Sequence, residues 1–153
     1  MATGPLGWRI RSPGPGSMHR GTRITPEAQV ARILVVDDDP AIREYVRDVL
    51  ELEDHEVRFA VDGPSALEAL AEERPDAMIL DVMMPGLNGH EVLARVRQAD
   101  GGPGLPVIML TAKADETEGW QAFDGGADYF LAKPFDSEEL LRFLNYLFAE
   151  STP

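Results

Sequence analysis

The sequence predicts an α/β domain in which helices cover both faces of a parallel sheet. Three observations carry this prediction. Short runs that are apolar throughout recur at 33–36, 77–80 and 107–110. Stretches with apolar residues at helical spacing lie between the runs. Strands that are apolar throughout, and not alternating, are those buried on both sides. Strands that alternate with helices read as βαβ units, and right-handed crossovers then leave few topologies.

Each element has its own signal. Ile33-Leu34-Val35-Val36 is the first strand, closed by Asp37-Asp38-Asp39-Pro40. A helix follows, with Ile42, Tyr45, Val46, Val49, Leu50 and Leu52 at its spacing, and Asp39 suits its N-cap. Val57, Phe59 and Val61 alternate as a second strand. Pro64 to Glu73 is helical, with Ala66, Leu67, Leu70 and Ala71 inward. Ala77 to Leu80 is the third strand and ends at Asp81. Asn88 to Ala99 is a helix with Val92, Leu93 and Val96 inward. Val107 to Leu110 is the fourth strand and ends at Thr111. Residues 115–124 make a weaker helix interrupted by Gly119, and Tyr129 to Ala132 is the fifth strand. Ser137 to Ala149 is a strong last helix, with Asp136 or Ser137 as cap. If Leu140, Leu144 and Leu147 face the core, Phe143 and Tyr146 point away from it as a partner surface; a rotated helix would instead bury Phe143. The count is five strands and five helices.

Composition narrows the function. The chain has 153 residues and no cysteine, which excludes disulfides, Cys-ligated zinc and thiol chemistry. Three His offer little to a His-based metal site. No apolar run approaches a membrane span, and no secretory signal is visible. Net charge is −13 and unevenly placed. Residues 1–32 carry five Arg and one acid; residues 33–153 carry nine basic and 26 acidic residues, a net of −17. Such a body disfavours direct nucleic-acid binding, which depends on neutralised phosphates. It suits a divalent cation or a basic partner. Residues 1–31, rich in Gly, Pro and Arg, read as a disordered basic leader or tag; 32–150 form the domain, and 151–153 a short tail.

The function follows from the strand ends. In open α/β sheets, ligands bind beyond the carboxyl ends of the strands. There the sequence delivers Asp37 and Asp38, Asp81, Thr111 and then Lys133. Three carboxylates in one crevice repel one another, and a divalent ion relieves that repulsion. Oxygen donors without His or Cys favour magnesium. Lys133 and the Thr111 hydroxyl then suit the remaining oxygens of a phosphoryl group.

Four segments resemble a known family: Ile33-Leu-Val-Val-Asp-Asp-Asp-Pro40, Leu80-Asp-Val-Met-Met-Pro-Gly-Leu-Asn-Gly89, Leu110-Thr-Ala112, and Gly126-Ala-Asp-Tyr-Phe-Leu-Ala-Lys-Pro-Phe135. They resemble the receiver domain of two-component response regulators, the CheY-like fold, over about residues 33–149. The resemblance implies a sheet order 2-1-3-4-5. It implies a phosphoacceptor, Asp81, which takes a phosphoryl group from a histidine kinase or phosphotransfer protein. It implies Mg2+ held by Asp37, Asp38, Asp81 and the Met83 backbone carbonyl. Thr111 and Ala112, Lys133 and Phe130 match the phosphate-binding and switch positions, and the Lys133–Pro134 bond matches the family's cis-proline. Met83 and Lys113 match the positions bordering the path of hydrolytic water. The output face is that of the fourth predicted helix, fifth strand and last helix, open to a downstream protein or a homodimer. A cytoplasmic signalling protein that is not an enzyme follows, either a stand-alone receiver or part of a longer protein.

Two rivals from other classes fit the sequence less well. A magnesium-dependent phosphohydrolase with an aspartyl-phosphate intermediate wants a second acid near Asp81 to activate water, and Val82 and Met83 cannot serve. A receiver-like binding module that is never phosphorylated has no need of these five residue types in one crevice.

Overall fold

A computed structural model describes residues 30–99, 102–112 and 126–151. Five parallel strands form one sheet: β1 (Arg32–Val36), β2 (Glu56–Ala60), β3 (Ala77–Asp81), β4 (Val107–Thr111) and β5 (Tyr129–Ala132). Their order is β2-β1-β3-β4-β5. Four helices are described: α1 (Pro40–Leu52), α2 (Gly63–Glu72), α3 (Gly89–Gln98) and α4 (Ser137–Ser151). The helix predicted over 115–124 lies outside the described residues.

Period-2 geometry splits each strand between two cores. Ile33, Val35, Ile79, Ile108 and Leu110 face α1 and α4, where they meet Val46, Val49, Leu50, Leu140, Leu144 and Leu147. Leu34, Val36, Leu80 and Met109 face α2 and α3, where they meet Ala66, Ala69, Val92, Leu93 and Val96. Both faces are buried, which is why these strands are apolar throughout.

Local sequence sets the boundaries. The Asp39 carboxylate accepts from the Ala41 N–H at 2.9 Å and caps α1, with Pro40 as the first helical residue. Asp62 and Ser65 cap α2 reciprocally, as do Asn88 and Glu91 for α3. At α4 the cap is Asp136, not Ser137: its carboxylate accepts from the Glu139 N–H at 2.8 Å, and Glu139 accepts from the Asp136 N–H at 3.1 Å.

Four inward assignments are corrected. Leu52 is 79% exposed because α1 ends there, past the last turn that meets the sheet. Val61 is exposed because β2 stops at Ala60. Ala69 is buried in α2 while Ala71 is exposed, because the helix starts at Gly63, and Leu67 and Leu70 are only partly buried. Tyr45 is exposed, with its ring tilted against Phe135 at 5.9 Å.

One buried histidine was not anticipated. His55 precedes β2, and its Nδ1 accepts from the Ala31 N–H at 3.0 Å. Its ring lies 6.0 Å from that of Phe148. Acceptance at Nδ1 requires the neutral ring in the tautomer that carries its proton on Nε2. Burial lowers the His55 pKa from its ordinary 6.5, and the charges of Asp54 and Asp76 oppose that. The unfolded chain therefore takes up a proton first as pH falls. The stability tied to His55 is complete above 6.5 and is lost progressively below it. The melting temperature of the parent should therefore fall more steeply from pH 7 to pH 5.5 than that of His55→Asn, whose amide oxygen can still accept. Parallel profiles would refute this role for His55.

Candidate functional site

Strand register assembles the site. β1 and β3 pair with Val36 opposite Leu80, so Asp37 and Asp81 leave the sheet side by side. β3 pairs with β4 through Asp81 and Leu110, so Thr111 emerges next to the end of β3. β4 pairs with β5 through Thr111 and Ala132, which sends Lys133 to the same edge. The Lys133–Pro134 peptide is cis.

Asp37 and Asp81 are buried, at 0% and 3% exposure, whereas Asp38 is exposed. Lys133 spans the buried pair. Its Nζ donates to Asp37 Oδ2 at 3.0 Å and lies 3.2 Å from Asp81 Oδ1. The Met83 N–H reaches Asp81 Oδ1 at 3.4 Å. Among the described residues, both bonds to Asp81 therefore fall on Oδ1 and leave Oδ2 open. Thr111 is buried, and its carbonyl accepts from the Lys133 N–H at 2.7 Å. Ala112 is exposed, Met83 is 65% exposed, and Phe130 packs partly buried against the α2–α3 core. Lys113 lies outside the described residues.

Two glycines shape the loop after Asp81. Gly86 takes the turn, with φ +76°. Gly89 serves a different need. A Cβ there would stand 2.2 Å from the Asp81 carbonyl oxygen, so only glycine lets α3 start so close to β3.

The electrostatics fit a hard cation. Asp37, Asp38 and Asp81 each offer a carboxylate oxygen, and these oxygens lie within 4.8 Å of one another. Burial raises the Asp81 pKa to about 6, the Asp37 charge adds to the rise, and Lys133 and the Met83 N–H oppose it. Burial also lowers the Lys133 pKa, but its bond to Asp37 and the charges of Asp81 and Asp37 outweigh that and leave it raised. One ammonium thus fails to neutralise the cluster. An all-oxygen donor set that still carries excess negative charge suits Mg2+.

These strand ends, with a buried carboxylate at the end of β3 bridged by a lysine after β5, can be set against known proteins. Residues 33–145 match the family described as response regulator receiver domain. The chain belongs to that family. Its receiver domain is 47% identical, over 122 residues, to the response regulator MprA of Mycolicibacterium vanbaalenii, covering 80% of this chain and 52% of MprA. The chain thus spans about half the length of the curated relatives it matches. Among solved structures, the receiver resembles a response regulator of Chloroflexus aurantiacus J-10-fl, with TM-score 0.76 and 38% identity over 79% of this chain and 99% of that one. It also resembles the chemotaxis protein CheY4 of Vibrio cholerae, with TM-score 0.74 and 34% identity over 78% and 99%. NtrX of Brucella abortus matches 80% of this chain but only 28% of its own length, with 34% identity and TM-score 0.75.

Sequence reading did not single out Arg43, which donates to the Asp37 carbonyl at 2.7 Å. An arginine in the first turn of an amphipathic helix carries no signal of that reach.

The raised Asp81 pKa has a testable sign. The folded carboxyl holds its proton more tightly than the unfolded one, at 3.8. The associated stability is complete below 3.8 and is lost as pH rises through about 6. In metal-free buffer, Asp81→Asn should therefore raise the melting temperature relative to the parent at pH 7.5 more than at pH 5. An equal difference at both pH values would contradict the assignment.

Proposed function

We propose that this receiver domain takes a phosphoryl group onto Asp81 from a histidine kinase or phosphotransfer protein and signals through it. The observation that carries the reading is the buried Asp81 at the end of β3, bridged to Asp37 by Lys133 at 3.2 and 3.0 Å. In this reading an Asp81 carboxylate oxygen attacks phosphorus in line, and the bond from phosphorus to the donor's histidine nitrogen breaks. Oδ2, which is free of the bonds that hold Oδ1, suits the attack. Lys133 and the Thr111 hydroxyl, with the Ala112 backbone beside it, hold phosphoryl oxygens. Asp37, Asp38, Asp81 and the Met83 carbonyl would hold Mg2+, which supplies charge neutralisation for phosphoryl transfer. The protein's part is mainly positioning and electrostatics.

The switch runs through Thr111 and Phe130, as a local charge event biases a distant face. That face includes Tyr129, stacked on Phe143 at 5.3 Å, and Tyr146, which is 47% exposed. Phe143 is half-buried, so α4 keeps its leucines in the core and offers an aromatic edge to a downstream protein or a second copy. The described residues contain no helix long and apolar enough to cross a membrane. We place the protein in the cytoplasm as a signalling module and not as a turnover enzyme.

Incubation with acetyl phosphate and Mg2+, followed by intact-mass spectrometry, should yield one phosphoryl adduct that is absent in Asp81→Asn. An adduct that survives the substitution would overturn the acceptor assignment. A magnesium-dependent phosphohydrolase would instead turn over small phosphate esters continuously.

The adduct should be long-lived. Met83 can cover the phosphoryl group but has no group to orient water, and charged Lys113 has no lone pair to act as base. Met83→Asn with Lys113→Glu should therefore speed loss of the phosphoryl group. A tenfold change corresponds to about 1.4 kcal/mol of barrier. An unchanged decay rate would dismiss this role for the two positions.

A further inference from the structure

We propose that Arg43 is a positioning residue for the cation site, acting through the Asp37–Asp38 peptide; this inference rests on the phosphoacceptor reading above. The argument starts from how the two neighbouring carboxylates are held. Every polar atom of Asp37 has a partner. Its N–H donates to the Ala60 carbonyl at 3.2 Å, Oδ1 accepts from the Asp39 N–H at 2.9 Å, and Oδ2 accepts from Lys133 at 3.0 Å. Its carbonyl accepts from the Arg43 guanidinium at 2.7 Å. Asp38 is the opposite case. It is exposed, and among the described residues its carboxylate has no hydrogen-bond or ion-pair partner. Yet that carboxylate stands with those of Asp37 and Asp81 inside 4.8 Å.

Nothing at the tip of the Asp38 side chain keeps it there against the repulsion of two neighbours. Its position depends on where its backbone points, and the Asp37 carbonyl fixes the plane of the peptide that leads into Asp38. Arg43 holds that carbonyl, and is itself held on two other sides. Its N–H donates to the Asp39 carbonyl at 3.1 Å within α1, and its guanidinium carbon lies 6.0 Å from the centre of the Phe59 ring on β2. Arg43 therefore ties the acidic loop to α1 and β2 at once.

A second effect of Arg43 has the opposite sign, and this makes the inference sharp. A guanidinium beside a divalent cation repels it. If Arg43 acts mainly as a charge, its removal tightens Mg2+ binding. If it acts by positioning Asp38, its removal weakens Mg2+ binding.

The experiment is a titration of the whole chain with Mg2+ alone, followed by backbone amide shifts and calorimetry, for the parent, Arg43→Met and Arg43→Lys. Methionine keeps an apolar stem against Phe59 and has no donor. The expected result is an Mg2+ dissociation constant about tenfold higher in Arg43→Met, the scale of one charge-assisted hydrogen bond. Arg43→Lys, which keeps the charge and one reachable donor, should fall between that and the parent. The Asp38 amide should shift in metal-free Arg43→Met, and its melting temperature shows whether the variant is folded. Unchanged or tighter Mg2+ binding in Arg43→Met overturns the inference while the phosphoacceptor reading stands. If Arg43→Met does not fold, weaker Mg2+ binding than the parent in Arg43→Lys with a shifted Asp38 amide supports the positioning role, and parent-like or tighter binding there overturns it. A parent chain that binds no Mg2+ overturns both.

Discussion

Two carboxylates that the sheet register forces together, and one lysine that spans them, are the constraint on which the rest of this site depends. Asp37 and Asp81 lie on neighbouring strands because Val36 pairs with Leu80. Both are removed from solvent. Burial alone raises the pKa of a carboxyl group, and a second carboxylate raises it further. Lys133 keeps the pair in one crevice, at 3.0 Å from one and 3.2 Å from the other. The bridge is incomplete by charge, with one ammonium against three acids once Asp38 is counted. An arrangement short of positive charge, with oxygen donors and an open oxygen on Asp81, suits a hard cation, and the proposed phosphoryl transfer would use both.

The surrounding structure serves that arrangement. The central strands β1, β3 and β4 are buried on both faces, so their ends are fixed to within the packing of two cores. Gly89 lets α3 begin in contact with the end of β3, against the Asp81 carbonyl. The Thr111 carbonyl takes the Lys133 N–H, which links the ends of β4 and β5. The same two strands carry the proposed switch residues, and Phe130 and Tyr129 sit on opposite faces of β5. A local event at the strand ends thus has short mechanical routes to the aromatic edge of α4.

Much of this was legible in the sequence, for physical reasons. Continuous apolar runs between helical periods mark a parallel sheet covered on both sides, and the strand-end rule collects Asp37, Asp38, Asp81, Thr111 and Lys133 without coordinates. The caps of α1 and α4 could be read because Asp39 and Asp136 stand just before the first residues at helical spacing. The misses share a cause. Leu52, Val61 and Ala71 fit the local period, but element ends decide whether a residue in phase meets anything to pack against. His55 and Arg43 were invisible because their partners are backbone groups of other segments, Ala31 and Asp37. Gly86 and Gly89 show the same division. One glycine is needed for its own φ, the other for a neighbour that only the fold brings near.

The most direct test of the central claim is the Mg2+ affinity of the parent chain as a function of pH. If the cation replaces a proton held on a buried Asp81, the apparent affinity should be flat above about pH 6. Below that point it should fall by up to about tenfold per pH unit. Affinity that is independent of pH between 7.5 and 5, or binding that never saturates, would contradict the account.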